Sequence, residues 1–189
     1  SLLGFGCMRL PTVTGDTGSR KFGDIDETKA IPLIREAIDE GITYVDTAYP
    51  YHGGKSELLV GEALQDGYRV KVTLATKLPV WAIKTYEDFE RIFQEQLDKL
   101  QTDVIDVYLV HALAKDRWDE MLELGLLKFL DQLRADGRVR CIGFSFHDEL
   151  PVFKEIVDAY NWDVCQIQLN FMDENYQAGT EGLLYAAER

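Results

Sequence analysis

The sequence predicts an α/β fold of the (β/α)8 TIM-barrel type, with about six of the eight βα units present in the chain. Three observations carry that prediction. Short apolar runs alternate with longer amphipathic stretches from one end of the chain to the other. Polar residues, namely Asp46, Lys77, His111, Ser145 and a glutamine at 166 or 168, fall at or near the C-terminal ends of successive apolar runs. Gly4 and Gly6 lead into Cys7-Met8-Arg9-Leu10-Pro11, which is not a G-x-G-x-x-G turn opening a helix, so a Rossmann dinucleotide site is not expected. Successive strands feeding one rim is barrel behaviour, whereas a doubly wound sheet gathers its site at one switch point.

The apolar runs cover residues 2–6, 42–46, 72–77, 105–111, 139–145 and 164–168. Most are continuously apolar, as strands are when a parallel sheet is covered on its outer face. Between them, residues 26–40 start with an acidic turn and stop at Gly41, a helix C-terminal signal. Residues 55–64 form the next helix. Residues 86–100 place Phe89, Ile92, Phe93, Gln96, Leu97 and Leu100 in one stripe at helical spacing. Residues 118–135 read as one helix before Asp136-Gly137. Residues 149–160 carry Pro151 near the first turn, where proline is tolerated. A last helix spans 179–189. The polar stretch 12–26 reads as a mobile rim loop that could shape substrate access. The chain is expected to be a single barrel domain over 1–189, cut short at both ends, because a full barrel takes roughly 250 residues.

Composition narrows the function. The 189 residues are 46% hydrophobic and carry a formal charge of −13, which argues against a general nucleic-acid or anionic-membrane surface. No apolar run approaches the roughly 20 residues of a membrane span. Cys7, Cys141 and Cys165 are sparse and far apart. They read as strand thiols in a reducing compartment, the cytoplasm, rather than as a disulfide framework.

Chemistry concentrates in Tyr44-Val-Asp-Thr-Ala-Tyr-Pro-Tyr-His-Gly-Gly-Lys-Ser-Glu57, followed by Lys77 and His111 on the next two strand ends. Reducing a carbonyl by hydride leaves an alkoxide that needs a proton. A phenol is a reluctant donor, and a neighbouring ammonium is expected to lower its pKa. An aspartate can hold that ammonium, and a histidine can orient the substrate oxygen. Singly, Asp46 reads as a cap, Tyr49 and Tyr51 as packing, and His111 as a structural histidine. Lys77 is harder to dismiss, because a lysine at a buried strand end is rare unless paired.

Leu3-Gly-Phe-Gly-Cys-Met8, Asp46-Thr-Ala-x-x-Tyr51, Thr76-Lys77 and Leu109-x-His111 resemble the successive motifs of the aldo-keto reductase family, and the resemblance runs through essentially the whole chain. It implies a (β/α)8 barrel that takes NADP(H) or NAD(H) across its C-terminal rim, NADPH before NADH, and reduces an aldehyde or ketone. It implies Tyr51 as proton donor, Lys77 and Asp46 as the groups that tune it, and His111 as the residue that positions the carbonyl. Asp46 is also counted with the cofactor contacts. Ile142-Gly-Phe-Ser-Phe-His-Asp148 is similar to the segment that holds the nicotinamide carboxamide, which assigns that role to Ser145. The usual next residue is Asn, and here Phe146 stands in its place. Gln166 matches the family glutamine that also reaches the carboxamide, with Gln168 the alternative.

Leu109-Val-His-Ala-Leu113 with Trp118, the segment 143–149 and Tyr176-Gln-Ala-Gly179 resemble members with a C-terminal ferredoxin-like extension holding a 4Fe-4S cluster; that extension is absent from this sequence. Tyr49, Trp81, Leu113 and Trp118 are the expected pocket walls. Two other readings compete: a reductase-like binding subunit without catalysis, and a metal-dependent barrel hydrolase using Asp46, His52, His111 and His147. Composition and motifs leave oligomeric state open.

Overall fold

The computed structural model describes residues 1–15 and 24–189. The segment 16–23, most of the expected rim loop, lies outside the described residues. Strands and helices alternate: β1 (Phe5–Gly6), α1 (Glu27–Asp39), β2 (Tyr44–Asp46), α2 (Ser56–Ala63), β3 (Thr73–Leu78), α3 (Tyr86–Leu100), β4 (Ile105–Leu113), α4 (Lys115–Glu123), α5 (Leu126–Ala135), β5 (Val139–Phe146), α6 (Leu150–Ala159), β6 (Val164–Gln166) and α7 (Gly179–Ala187). The strand order is β1-β2-β3-β4-β5-β6, and the pairs β1·β2, β2·β3 and β5·β6 are parallel. No reversal of order occurs, so a doubly wound switch point is absent among these strands.

The chain divides into two compact units, Ser1–Lys77 with Ile92–Val107, and Leu78–Arg91 with Tyr108–Arg189. In the first unit, Gly6 pairs with Asp46 and Asp46 with Ala75, so register carries one strand end to the next. Val45, Leu74, Ala75, Ile92 and Phe93 are fully buried or nearly so. Helix α1 closes on Gly41 as expected: Gly41 N–H donates to Ile38 and Ile42 N–H to Ala37, and Gly41 takes φ +104°. That is the double bond of a Schellman ending, which a left-handed glycine allows. Gly61 of α2 has no room for a side chain, because a Cβ there would lie 2.4 Å from the Lys99 carbonyl oxygen.

In the second unit, Phe89 stacks on Phe129 at 5.1 Å, and Phe153 of α6 packs on Phe144 and Phe146 of β5. The expected helix over 118–135 is two helices. Gly125 sits at φ +89°, a left-handed break between α4 and α5, with the Tyr86 ring beside it. A glycine inside an apolar periodic stretch gives no local sign of whether it breaks the helix. Among the described residues no helix is long and apolar enough to cross a membrane.

Candidate active site

Asp46 is the last residue of β2, and Lys77 lies near the end of β3, two residues past Asp46's register partner Ala75. Residues two apart on a strand share a face, so the lysine projects beside the carboxylate. Its Nζ donates to Asp46 Oδ1 at 2.7 Å, to Asp46 Oδ2 at 2.8 Å and to the Thr47 carbonyl at 2.8 Å. A longer bond of 3.4 Å reaches the Tyr51 hydroxyl. Lys77 is 2% exposed, so an ammonium has been carried indoors with a full set of acceptors. Tyr51 is half-buried, its ring centroid 5.0 Å from Nζ.

Burial lowers the pKa of Lys77, and Asp46 opposes that fall. Tyr51 moves the other way: burial first, then the charge of Asp46, hold its phenol above the ordinary range. The sequence expectation that Lys77 lowers the Tyr51 pKa is therefore corrected. The ammonium is matched by a carboxylate in direct contact, so its pull on the phenol does not offset burial and the Asp46 charge. Tyr51 is fully protonated at neutral pH. It can still protonate an alkoxide, which is a stronger base than a phenolate.

Behind Lys77 lies a layer that sequence reasoning missed. Glu57 is fully buried in α2. Its Oε1 accepts from Thr76 Oγ1 at 2.6 Å and from Gln96 Nε2 at 2.7 Å, and Gln96 also donates to the Lys77 carbonyl at 3.0 Å. Lys99 Nζ lies 3.9 Å from Glu57 Oε2. Burial raises the Glu57 pKa against the pull of these donors. The available signal was Gln96, a polar residue inside the apolar stripe of α3. Tyr49 is tied down nearby: its hydroxyl donates to Glu95 at 3.2 Å, and Lys99 Nζ lies 4.0 Å from its ring centroid.

The second unit holds the remaining expected residues. His111 on β4 is half-buried, its ring 5.1 Å from that of Trp81. Strand pairing sets Ser145 opposite Gln166. Ser145 Oγ accepts the Ala112 N–H at 2.7 Å, which leaves its own proton to donate. Gln166 is exposed at the end of β6, and Gln168 lies beyond that strand. Phe146 is 1% exposed and packs on Phe153, so it serves the core. Of the expected pocket walls in this unit, Leu113 and Trp118 are also core, both buried, with Trp118 6.2 Å from Trp162. Trp81 is 37% exposed.

The first unit thus gathers Asp46, Tyr51 and Lys77, and the second gathers Ser145 with Gln166 and, separately, His111 with Trp81. Cys7, Cys141 and Cys165 are free cysteines. Among the described residues no three histidine, cysteine, aspartate or glutamate side chains cluster as metal ligands, and Asp46 is already engaged by an ammonium.

The chain belongs to the aldo-keto reductase family. The sequence pattern of the Aldo/keto reductase family matches residues 2–186. The aldo-keto reductase YhdN of Bacillus subtilis is 36% identical over 152 residues, which cover 75% of this chain and 44% of that protein. The holo structure of aldo-keto reductase AKR11C1 from Bacillus halodurans superposes with a TM-score of 0.71 at 29% identity, over 88% of this chain and 52% of that one. An aldo-keto reductase from Klebsiella pneumoniae in complex with NADPH matches at TM-score 0.60 and 28% identity, over 77% of this chain and 45% of its own. The fold is that of the aldo-keto reductases, and the chain spans about half the length of these relatives.

Proposed function

We propose that the protein reduces the carbonyl of an aldehyde or ketone, taking hydride from NADPH and a proton from Tyr51. The observation that carries this reading is the buried Lys77–Asp46 pair against the Tyr51 hydroxyl. A structural ion pair has no need of a phenol kept protonated at its edge, whereas proton delivery to an alkoxide does.

The residues fit a nicotinamide. Ser145 keeps a hydroxyl proton free to donate and stands in register with Gln166, whose exposed amide offers both a donor and an acceptor. A carboxamide needs that set. When bound, the cofactor supplies the hydride. Ser145 and Gln166 would hold its carboxamide, His111 would donate to and orient the carbonyl oxygen, and Asp46 keeps Lys77 in place. Tyr51 Oη would give its proton to the carbonyl oxygen, and Lys77 Nζ, 3.4 Å away, would hold the phenolate left behind. The complex of the Klebsiella relative with NADPH favours NADPH over NADH. The reading extends to one domain over 1–189, to a small carbonyl compound as substrate, and to the cytoplasm as the compartment, where free thiols persist. A 4Fe-4S cluster would need ligands from beyond this sequence.

The test is a titration of NADPH and NADH into the longest natural form of the protein, followed by quenching of tryptophan fluorescence. An aldehyde and ketone panel under NADPH then reads turnover. Micromolar NADPH binding with carbonyl-dependent oxidation is expected. Absence of binding by either nicotinamide sinks the proposal.

A further inference from the structure

Tyr51 opens a tight turn, Tyr51–Gly54, in which His52 and Gly53 both take left-handed backbone angles, φ 52° and φ 64°. Gly54 follows at φ 90°. Left-handed backbone is natural for glycine and uphill for a residue with a Cβ. If position 52 served only to turn the chain, glycine would serve there as it does at 53 and 54. The histidine is explained by its side chain. The ring is 3% exposed, and its Nε2 accepts the backbone N–H of Leu10 at 3.2 Å, across 42 positions of sequence. Leu10 closes the short helical turn Cys7–Arg9 that follows β1. A second buried bond joins the same two segments, from Ser56 Oγ to the Cys7 carbonyl at 3.1 Å, and Ser56 Oγ also meets Thr47 Oγ1 at 2.9 Å. Thr47 in turn presents the carbonyl that receives Lys77 Nζ.

We infer that His52 is a positioning residue for Tyr51: its Nε2, held by the Leu10 amide, pins the strained turn so that the adjoining phenol stays against Lys77. The inference rests on Tyr51 being the proton donor. Its chemistry is that of a neutral imidazole, with the proton on Nδ1 and the Nε2 lone pair committed to an amide. That commitment also removes Nε2 from use as a metal ligand. Freed from the ring, the turn loses the Leu10 bond that helps balance the unfavourable angle at 52, and the Tyr51 hydroxyl drifts from its 3.4 Å approach to the ammonium.

Three variants test this. His52→Gly removes the ring and relaxes the backbone. His52→Asn tolerates the left-handed angle but is too short to reach Leu10. His52→Gln places an amide oxygen near the position of Nε2. In carbonyl reduction, His52→Gly and His52→Asn are expected to lose kcat by roughly tenfold to a hundredfold, the scale of a misplacement of about 1 Å, with the KM for NADPH unchanged. His52→Gln restores most of it. The second readout is the alkaline absorbance titration of Tyr51, taken as the difference between each protein and its Tyr51→Phe partner. Tyr51 ionises above the ordinary phenol range in the parent and in His52→Gln, and falls back towards that range in His52→Gly and His52→Asn. Parental kcat in His52→Gly, or His52→Gln as slow as His52→Gly, overturns the inference. If no form of the protein turns over a carbonyl, the reductase reading fails by itself. The titration then decides for His52, and an unmoved Tyr51 in His52→Gly rejects the positioning role.

Discussion

The first unit carries its chemistry in the interior, while the second carries its polar groups on a strand end. Lys77 is 2% exposed and fully partnered, with Glu57, Thr76 and Gln96 bonded in a layer behind it. Gln166, by contrast, stands exposed, located only by the pairing of β6 with β5. A proton donor must be held to a fraction of an ångström, so the groups that hold it are built into a core. A group that grips a diffusible cofactor must stay accessible until the cofactor arrives. Damage should therefore propagate differently in the two units: to stability and chemistry together in the first, to binding alone at Gln166.

The largest effect should come from Lys77→Met. It strands the Asp46 carboxylate beside a buried neutral side chain, which costs about 3–5 kcal/mol of stability, and it removes the cation that lies 3.4 Å from the Tyr51 hydroxyl. A urea melt and a turnover assay read both losses. Gln166→Ala sharpens the contrast: NADPH binding weakens by about 1 kcal/mol, the net worth of one hydrogen bond, and the urea midpoint stays put. A Gln166→Ala that unfolds the protein, or a Lys77→Met as stable as the parent, breaks the comparison.

Backbone crowding comes next. Gly61→Ala would bring a Cβ to 2.4 Å from the Lys99 carbonyl oxygen in the first unit, and Gly143→Ala to 2.1 Å from the Val164 carbonyl oxygen in the second. Each should cost about 1–3 kcal/mol. Gly143→Ala should in addition weaken NADPH binding, because it pushes β6 and Gln166 away from Ser145. A Gly61→Ala effect on NADPH affinity as large as that of Gly143→Ala would contradict the assignment.

The smallest effect is a slope. Burial raises the Glu57 pKa above its ordinary value of 4.5. The folded state then binds this proton more tightly than the unfolded chain does. The stability it contributes is complete below about pH 4.5 and is lost as pH rises through the raised folded value. Glu57→Gln removes that ionisation, so its urea midpoint should gain on the parent as pH rises from 4.5 to neutrality. Parallel curves across that range would mean that Glu57 does not change its protonation on folding.

Much of this was legible in the sequence, and the misses are local. Every apolar run produced a strand, and the stripe from Phe89 to Leu100 is the buried face of α3, because periodicity is a direct record of burial. Asp46, Tyr51 and Lys77 could be grouped because each stands at or just beyond a strand end. The break at Gly125 was invisible because one glycine is compatible with helix or turn. Glu57 and Gln96 were missed because a buried polar pair is defined by partners distant in sequence, 39 residues apart here. The direction of the Tyr51 shift was misjudged because a residue list does not show burial, the largest cause, and because the Asp46 charge acts on the phenol as well as on the ammonium. His52 looked like a spare metal ligand until the Leu10 amide was found on its Nε2.

The most direct test of the central claim, that Tyr51 gives the proton, is a comparison of Tyr51→Phe with the parent in NADPH-dependent reduction of an aldehyde. The prediction is unchanged NADPH affinity with turnover reduced by roughly 10²–10⁴-fold, the usual worth of a positioned general acid. Equal turnover by the two proteins would contradict it, and would leave the Lys77–Asp46 pair as a structural feature of the first unit alone.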